Sequence, residues 1–241
     1  MGIATLFAAS PEAPNLFHAY MGDPEAETMS EWDSPSGEVY GWRWTLGRQE
    51  SAFYTALVRA RPTWVSWDLL PSVLRLRGEL RPPEELYAAG ELSADALRIT
   101  QALQDSGGVL ATGELRARAG FPTGKEQRAA YLKAVQELDT RLLLAKVFSA
   151  DSDDMSHALV RLRYPRHVEA AEEMSPGEAL EHVLRTYLPH AVYAVPAVLA
   201  RHLKLPEATL REGFDRLVSS GMATPAALPG QKGTCYVWEH S

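Results

Sequence analysis

The sequence predicts a mainly α-helical fold with small β-hairpins, an α+β fold built from tandem winged-helix units. Two observations indicate this fold: residues 91–168 follow the order helix, helix, helix, hairpin, and residues 175–241 repeat it. The composition agrees, because 46% hydrophobic and 23% charged residues over 241 positions are typical of a folded globular chain. Before these two units, residues 1–90 are predicted to form a tryptophan-rich helical region, for which a degenerate winged helix is the open alternative.

The first region is predicted to contain two helices. One spans Pro14 to Met21, and the other runs from about Arg48 to Ala60, where apolar residues recur at three- and four-residue spacing. Four tryptophans flank the second helix: Trp42, Trp44, Trp64 and Trp67. Tryptophan buries a large area and no basic residues are regularly interleaved with these four, so we interpret them as core residues. A surface on which bases stack is the alternative.

The unit over residues 91–168 is predicted from its capping residues. Ser93 caps a helix from Ala94 to Asp105, and Thr112 caps a second, short helix after a strand at Val109 to Ala111. A capping box at Thr123 to Glu126 opens the third helix.

This third helix is predicted to end at about Asp139, and a hairpin follows it. Its strands are Leu142 to Ser149 and His157 to Tyr164, joined by an acidic turn.

The second unit begins at Ser175 to Glu178, which combine a capping box with a proline at the first helical position. Three helices are predicted: the first runs to about Leu188, the second spans Val195 to His202 and the third spans Pro206 to Ser219. A hairpin follows, with strands at Ala223 to Leu228 and Thr234 to Glu239.

The charge is distributed unevenly along the chain. Residues 1–50 hold eight acidic and two basic residues, so most of the net charge of −7 lies there and the remainder is nearly neutral. DNA-binding proteins usually concentrate Lys and Arg on one face, since phosphate contacts supply most of their affinity. The overall charge therefore disfavours strong DNA binding, but a local basic groove stays open.

Candidate DNA contacts lie on the third helix and the hairpin of the first unit. Lys125, Ala129, Lys133 and Gln136 share a stripe opposite the apolar face, and Arg128 is assigned with them. On the hairpin, Arg161 and Arg163 alternate along the predicted returning strand and could contact phosphates. An acidic turn at Asp151, Asp153 and Asp154 opposes this, and a solvated helix face with a stabilising hairpin is the alternative.

The second unit is a weaker candidate for DNA binding. The exposed side of its third helix carries Glu212 and Asp215 beside Arg216, and Lys232 is the only cation predicted at its hairpin turn. We include Lys232 among the DNA contacts and predict that residues 175–241 meet a protein partner or solvent.

Other classes of site are not indicated. The single cysteine, Cys235, excludes an internal disulfide and a thiolate zinc site, and the histidines lack metal-binding spacing, so no metal or cofactor is predicted. We assign no catalytic residue. Asp68 is the one carboxylate in an apolar sequence context and is the only candidate considered, with a helix cap or an arginine partner as the alternative. No apolar run reaches membrane-spanning length and the N-terminus lacks a basic secretory start, so we predict a cytoplasmic protein, associated with the nucleoid if it binds DNA.

Scattered positions over nearly the whole chain follow one known pattern: Pro14 to Ala19, Phe53-Tyr54, Arg61 to Ser66, Leu97 to Leu115 and Ala129 to Lys146. Through them the chain resembles the AlkZ/YcaQ-related winged-helix proteins, a DNA glycosylase-like family, and in particular its shorter AlkZ-related members. The resemblance implies tandem winged helices stacked into a concave surface for double-stranded DNA, and excision of alkylated bases with a Gln-x-Gln or Gln-x-Asp signature.

That catalytic signature is missing from this chain. None of the glutamines, at 49, 101, 104, 127, 136 and 231, is followed two residues later by Gln or Asp. We therefore predict a DNA-binding or DNA-associated protein without catalysis. An active glycosylase for alkylated bases and a protein-interaction module are the alternatives.

Overall fold

The computed structural model describes residues 1–150, 154–231 and 233–239. It has the predicted α+β fold, in which helices dominate and the named strands form small antiparallel sheets. The first part contains these elements: β1 (Ile3–Thr5), α1 (Leu16–Met21), α2 (Pro35–Arg48), β2 (Phe53–Ala56), β3 (Pro62–Val65), α3 (Leu70–Arg77) and α4 (Pro83–Ala88).

The helix predicted from Arg48 to Ala60 is wrong. Residues 53–56 form strand β2, which pairs antiparallel with β3. The aromatic and β-branched side chains of this segment favour a strand, and three of its four residues are buried. Arg59 and Ala60 have φ values of 50° and 55°, which turn the chain between the two strands and are incompatible with a continuous helix.

Helix α2 lies in a part of the chain for which the sequence patterns predict no helix. Ser34 caps it, since its hydroxyl oxygen accepts a hydrogen bond of 3.2 Å from the backbone N–H of Gly37. Pro35 stands in the first turn, where its missing N–H costs nothing. The helix carries Trp42 and Trp44, which are half-buried against the same core as the buried Trp64, in agreement with the predicted core role.

The next part of the chain contains the first winged-helix order: α5 (Ala94–Asp105), β4 (Val109–Ala111), α6 (Thr112–Arg118), α7 (Lys125–Thr140), β5 (Leu144–Phe148), β6 (Met155–Leu159), α8 (Val160–Arg163) and α9 (Pro165–Glu173). Helix α5 has the predicted bounds, and the Ser93 hydroxyl accepts a hydrogen bond from the backbone N–H of Ala96. Its sheet has the strand order β4-β6-β5.

Two caps predicted in this unit are wrong. Thr112 is the first residue of α6, and its hydroxyl donates to the carbonyl of Met155 at 2.7 Å instead of capping the helix. Helix α7 begins after Gly124, whose φ of 141° is an open glycine conformation, and no side chain caps it. Thr123 therefore does not form the predicted capping box.

The returning strand of the predicted hairpin is shorter than expected. Strand β6 ends at Leu159, so Arg161 and Arg163 lie on the single helical turn α8 and not on a strand. Pro165 then starts α9, which no sequence pattern had predicted. The reason is tertiary: Val160 is buried in the core, and Arg161 pairs with Glu172 of α9 at 2.6 Å.

The last part of the chain follows the prediction closely. Its elements are α10 (Pro176–Tyr187), α11 (Pro196–Leu203), α12 (Glu207–Ser219), β7 (Ala223–Ala226) and β8 (Cys235–Trp238). The predicted capping box of Ser175 and Glu178 is present. A single antiparallel bridge between Ala194 and Tyr236 places the segment before α11 beside β8.

One strand order recurs in all three parts. In the first sheet the order is β1-β3-β2, in the second it is β4-β6-β5, and in the third Ala194 pairs with β8, which pairs with β7. Each time the first strand lies beside the last, as in a winged helix. The boundaries predicted between the three regions stay predictions.

The largest hydrophobic cluster extends across the boundaries predicted between the three regions. One cluster joins Val65, Leu70 and Leu74 of the first part to Leu184 and Phe214 of the last, because α3 packs against α9 and α10. The middle unit has a core of its own, made of residues between 86 and 159. Within the residues described, no helix combines the length and apolar character that a membrane crossing requires.

Candidate nucleic-acid interface

Helix α7 turns a polar stripe away from the core of the first winged-helix unit. Its buried residues are Tyr131, Ala134, Val135 and Leu138. The four candidates on this helix, Lys125, Arg128, Lys133 and Gln136, are all exposed. Within the described ranges, none of their side chains forms an ion pair or a hydrogen bond with the protein. The predicted stripe is therefore accessible over the full length of the helix.

The C-terminal half of this stripe borders an open depression of about 690 Å³. Lys133, Gln136 and Arg141 contribute from α7 and its end, Arg77 comes from the last turn of α3, and Lys204 comes from the turn between α11 and α12. Lys204 has a φ of 52°, which ends α11 in the left-handed conformation. Cationic side chains from three separate parts of the chain thus line one depression, and sequence spacing cannot show this.

The two carboxylates of the depression already have partners. Glu79 Oε2 lies 2.7 Å from Nη2 of Arg81, and this hydrogen bond is the main reason why the pKa of Glu79 is below its ordinary value. Glu137 accepts hydrogen bonds of 3.0 Å and 2.6 Å from the backbone N–H and the hydroxyl of Ser93. Neither acid is therefore fully available to neutralise the cations beside it.

Arg77, Lys133 and Lys204 have no carboxylate partner in the part of the chain that the structure describes. Arg77 is half-buried, its Nε is inaccessible and has no hydrogen-bond partner there, and burial lowers the pKa of its guanidinium. A partly desolvated cation without a counter-ion is unfavourable, and an anion bound in the depression would relieve that penalty.

Arg161 and Arg163, the contacts predicted on the hairpin, have partners within the protein, unlike the candidate residues on α7. Arg161 donates to Glu172 and to the carbonyl of Leu80, and Arg163 donates to Glu50. Both guanidiniums are therefore engaged within the protein. Lys232 lies outside the described residues, and so do Asp151 and Asp153 of the predicted acidic turn.

Asp68 does not have the environment of a general acid. It is exposed, and its pKa is below the ordinary value, chiefly because the Ser66 hydroxyl donates a hydrogen bond to its carboxylate. A general acid at neutral pH needs a raised pKa.

A network of hydrogen-bonded polar side chains, which no sequence motif indicates, lies in the first unit. Lys146 Nζ lies 2.8 Å from Asp139 Oδ2 and 3.4 Å from His157 Nδ1, and His157 Nε2 lies 3.1 Å from the Thr112 hydroxyl. Because Thr112 donates its only proton to Met155, the Nε2 of His157 must be the donor to Thr112. Its Nδ1 then accepts from the ammonium of Lys146.

Burial is the main cause of the pKa shifts of Asp139 and His157 in this network. It raises the pKa of Asp139, which the ammonium of Lys146 only partly offsets. It also lowers the pKa of His157 to about 3, so the imidazole is neutral at physiological pH. Perturbed groups beside a cleft mark candidate functional positions as well as structural networks.

Asp139 and Lys146 also line a small cleft of about 160 Å³ between the first unit and the N-terminal sheet. Arg43 of α2 and Tyr54 of β2 line its other side. Nowhere in the described ranges do three or more His, Cys, Asp or Glu side chains gather closely enough to hold a metal ion.

The chain is similar to a known protein family and to a solved structure. A family model described as AlkZ related matches residues 1–204. Among solved structures, the chain is similar to the DNA glycosylase AlkZ of Streptomyces sahachiroi, with 18% sequence identity and a TM-score of 0.53. The match covers 86% of this chain and 56% of that chain, so the chain spans little more than half the length of that protein. A search of the curated proteins found no match.

Proposed function

The chain belongs to the AlkZ-related family, and from this premise we propose that it binds double-stranded DNA through helix α7 and the depression beside it. One observation carries the proposal. Arg77, Lys133 and Lys204 come from three parts of the chain, line one depression and lack carboxylate partners among the described residues.

The phosphate backbone is the ligand that such a depression fits best. Phosphate contacts supply most of the affinity of DNA-binding proteins and require Lys or Arg side chains that are not already paired. A depression open to solvent admits a polymer that continues past it on both sides, which an enclosed pocket would not.

Helix α7 suits the groove beside that backbone. It is the third helix of a winged-helix order, the position that usually enters the major groove. Gln136 can donate to base edges, and the small side chain of Ala129 allows close approach. Most of the excess of acidic over basic residues that gives the chain its net charge of −7 lies in residues 1–50, away from α7 in the sequence.

We infer that this binding proceeds without base excision. The Gln-x-Gln and Gln-x-Asp signatures are missing from the sequence. Asp68, the only carboxylate considered for catalysis, has a lowered pKa and is exposed. Abasic-site formation on alkylated duplex DNA would contradict this inference.

A second candidate role concerns the last unit. Helix α12 exposes Glu212, Asp215 and Arg216, and a mainly acidic face is repelled by phosphate. We propose that this helix contacts a protein partner or solvent and leaves DNA binding to α7.

The test is a titration of an end-labelled duplex followed by fluorescence anisotropy. Three phosphate contacts predict a slope of about −2.7 for log affinity against log salt, so raising salt from about 50 to 200 mM should weaken binding roughly 40-fold. The double substitution Lys133→Glu and Lys204→Glu should abolish binding, while Arg211→Glu with Arg216→Glu, a double charge reversal on α12, should leave it nearly unchanged. Affinity that does not change with salt, or equal loss in both variants, would overturn the proposal.

A further inference from the structure

The N-terminal part of the chain carries an open hollow of about 910 Å³, which shares no lining residue with the depression beside α7. Two of its walls are aromatic: Trp32 comes from the segment before α2, and Tyr40 comes from α2 itself. Glu27 and Glu31 are its acidic side chains. We propose that the corner between Trp32 and Tyr40 binds a methylated ammonium group, carried by a free quaternary amine or by a methylated lysine side chain.

The rings of Trp32 and Tyr40 stand almost perpendicular to each other. Their centroids are 5.5 Å apart and their planes meet at 81°. A group in the angle between them touches a face of each ring, and the negative face of an aromatic ring attracts a cation. Trp32 is 77% exposed and Tyr40 is 44% exposed, so a ligand can reach both rings.

No arginine or lysine of the described residues lies over either of these two rings. Elsewhere in the chain the protein supplies such a cation itself, since the guanidinium carbons of Arg43 and Arg48 lie 5.4 Å and 5.7 Å from the ring centroid of Trp44. Residues 1–42 contain neither Lys nor Arg, so the sequence places no such side chain near Trp32. The ring pair is therefore open to a cation from outside the chain.

The backbone that carries Trp32 is fixed although the indole is exposed. The backbone N–H of Met29 donates to Oγ of Ser36 at 2.8 Å. Gly37 of α2 lies directly against the backbone of Trp32, because any Cβ there would clash with the carbonyl oxygen of Trp32. The indole belongs to none of the hydrophobic clusters of the described residues. It is therefore held in place without serving the core, which reduces the entropy that a ligand must lose on binding.

The charge around the rings selects a cation. Residues 20–40 hold six carboxylates and no Lys or Arg. The side chains of Glu27 and Glu31 form no ion pair in the part of the chain that the structure describes. Arg61 also lines the hollow, but it donates to the carbonyl of Ala8 at 3.1 Å and faces two glutamates. Anions, including the phosphates of DNA, are therefore repelled from this site, and cations are attracted to it.

Methyl groups on the ammonium suit this site better than N–H groups. An unmethylated ammonium is strongly hydrated and would lose hydrogen bonds with water that ring faces do not replace. Methylation removes those donors, keeps the charge and adds apolar surface. Phe7, whose ring centroid lies 5.7 Å from that of Phe17, gives the hollow a further apolar wall.

The test is an NMR titration of small probes with the full chain, and it does not depend on DNA binding. Choline is compared with its neutral isostere, in which a carbon atom replaces the charged nitrogen. The N-methyl protons of choline should shift upfield because they lie over ring faces, and choline should bind at least about tenfold more tightly than the isostere. Equal binding of the two would show an apolar hollow without cation recognition and would overturn the proposal.

Two further probes separate the sources of the ammonium group. Acetylated trimethyllysine amide stands for a protein side chain, and acetylated lysine amide is its unmethylated counterpart. Tighter binding of the trimethyllysine probe than of choline assigns the site to a protein side chain, and the reverse order assigns it to a free amine. Lysine binding as tightly as trimethyllysine would contradict the preference for a methylated group.

Variants locate the binding in the hollow. Trp32→Leu and Tyr40→Leu should each weaken choline binding about tenfold and remove the upfield shift. Tyr87→Leu is the matched control, because Tyr87 is 45% exposed on α4 outside the hollow, and it should change nothing. Glu27→Gln with Glu31→Gln should weaken choline binding but not that of the neutral isostere. Unchanged choline binding by Trp32→Leu would overturn the proposal, and the exposure of Trp32 lets this variant keep its fold.

Discussion

The ammonium nitrogen of Lys146 lies 2.8 Å from Oδ2 of Asp139, and this ion pair ties helix α7 to strand β5. The two side chains are only 16% and 24% exposed, so water screens the pair much less than it screens the surface pairs of the chain. The position of the proposed DNA-binding helix relative to its hairpin therefore depends on a contact between residues that are seven positions apart.

Removing Lys146 should destabilise the protein. Lys146→Met leaves Asp139 largely buried without its cation, which should lower the free energy of unfolding by about 3 kcal/mol in a urea titration. The double variant Lys146→Met with Asp139→Leu should recover part of that loss, because an apolar pair leaves no uncompensated charge. Arg185→Met removes the exposed pair with Glu181 and serves as the control, with little expected change. A double variant less stable than Lys146→Met would contradict this account.

His157 should make stability depend on pH in the acid range. The pKa of His157 is 6.5 in the unfolded reference and about 3 in the fold, so between these values the unfolded chain binds the extra proton. Stability that is full above pH 6.5 should therefore be lost progressively as the pH falls towards 3. Asp139 acts in the opposite direction, since its raised pKa favours the folded state at low pH.

The variant His157→Gln isolates this contribution. Its amide does not titrate, so the slope of unfolding free energy against pH should be shallower than in wild type by up to about 1.4 kcal/mol per pH unit. Urea titrations at several pH values between about 4 and 6 would measure both slopes. Identical slopes in wild type and variant would show that His157 does not contribute.

Arg77 should contribute one phosphate contact. Arg77→Met should make the slope of log affinity against log salt shallower by about 0.9, because one fewer counterion is released on binding. Arg161→Met is the matched control: Arg161 is paired with Glu172, so its loss should leave the slope unchanged. Anisotropy titrations at several salt concentrations measure both. The opposite result, a change with Arg161→Met alone, would favour the hairpin contacts predicted from the sequence.

Substituting alanine for each of two glycines of helix α2 should change the stability of the protein in opposite directions. A Cβ at Gly47 would lie 2.4 Å from ring carbons of Phe148, and an aromatic ring cannot bend away, so Gly47→Ala should cost about 1–3 kcal/mol. A Cβ at Gly41 meets nothing within 4 Å, so Gly41→Ala should stabilise the helix by up to about 1 kcal/mol. Thermal unfolding of the two variants measures the difference, and equal shifts would refute the close contact between α2 and β5.

Local signals predicted much of this fold. Ser93 and the Ser175–Glu178 box place α5 and α10 correctly because a capping side chain acts on backbone groups of its own helix. Helix α2 has a comparable signal in Ser34 followed by Pro35, but weak amphipathicity and an acidic, glycine-rich surrounding obscured it. The error at residues 53–56 has a related cause: Phe53 and Tyr54 fit a helical spacing with Leu57 and Val58, but the first two lie in a buried strand and the last two in the turn that follows it.

The candidate site was only half predictable. The exposed stripe on α7 follows from periodicity alone, because residues four apart share a helix face. The depression and the cleft do not, since Arg77, Lys133 and Lys204 are far apart in the sequence and line one depression only in the folded chain. The same holds for Arg43 and Asp139, which are almost a hundred positions apart in the sequence.

The core shared by α3, α10 and α12 has a consequence for biosynthesis. During translation, the residues around Leu70 leave the ribosome long before Leu184 and Phe214, which cover them in the folded protein. The separate core of the middle unit ends at Leu159, so we expect this core to form before the last helices are synthesised. We therefore expect the apolar face of α3 to stay exposed to solvent in the nascent chain until α10 and α12 have been synthesised.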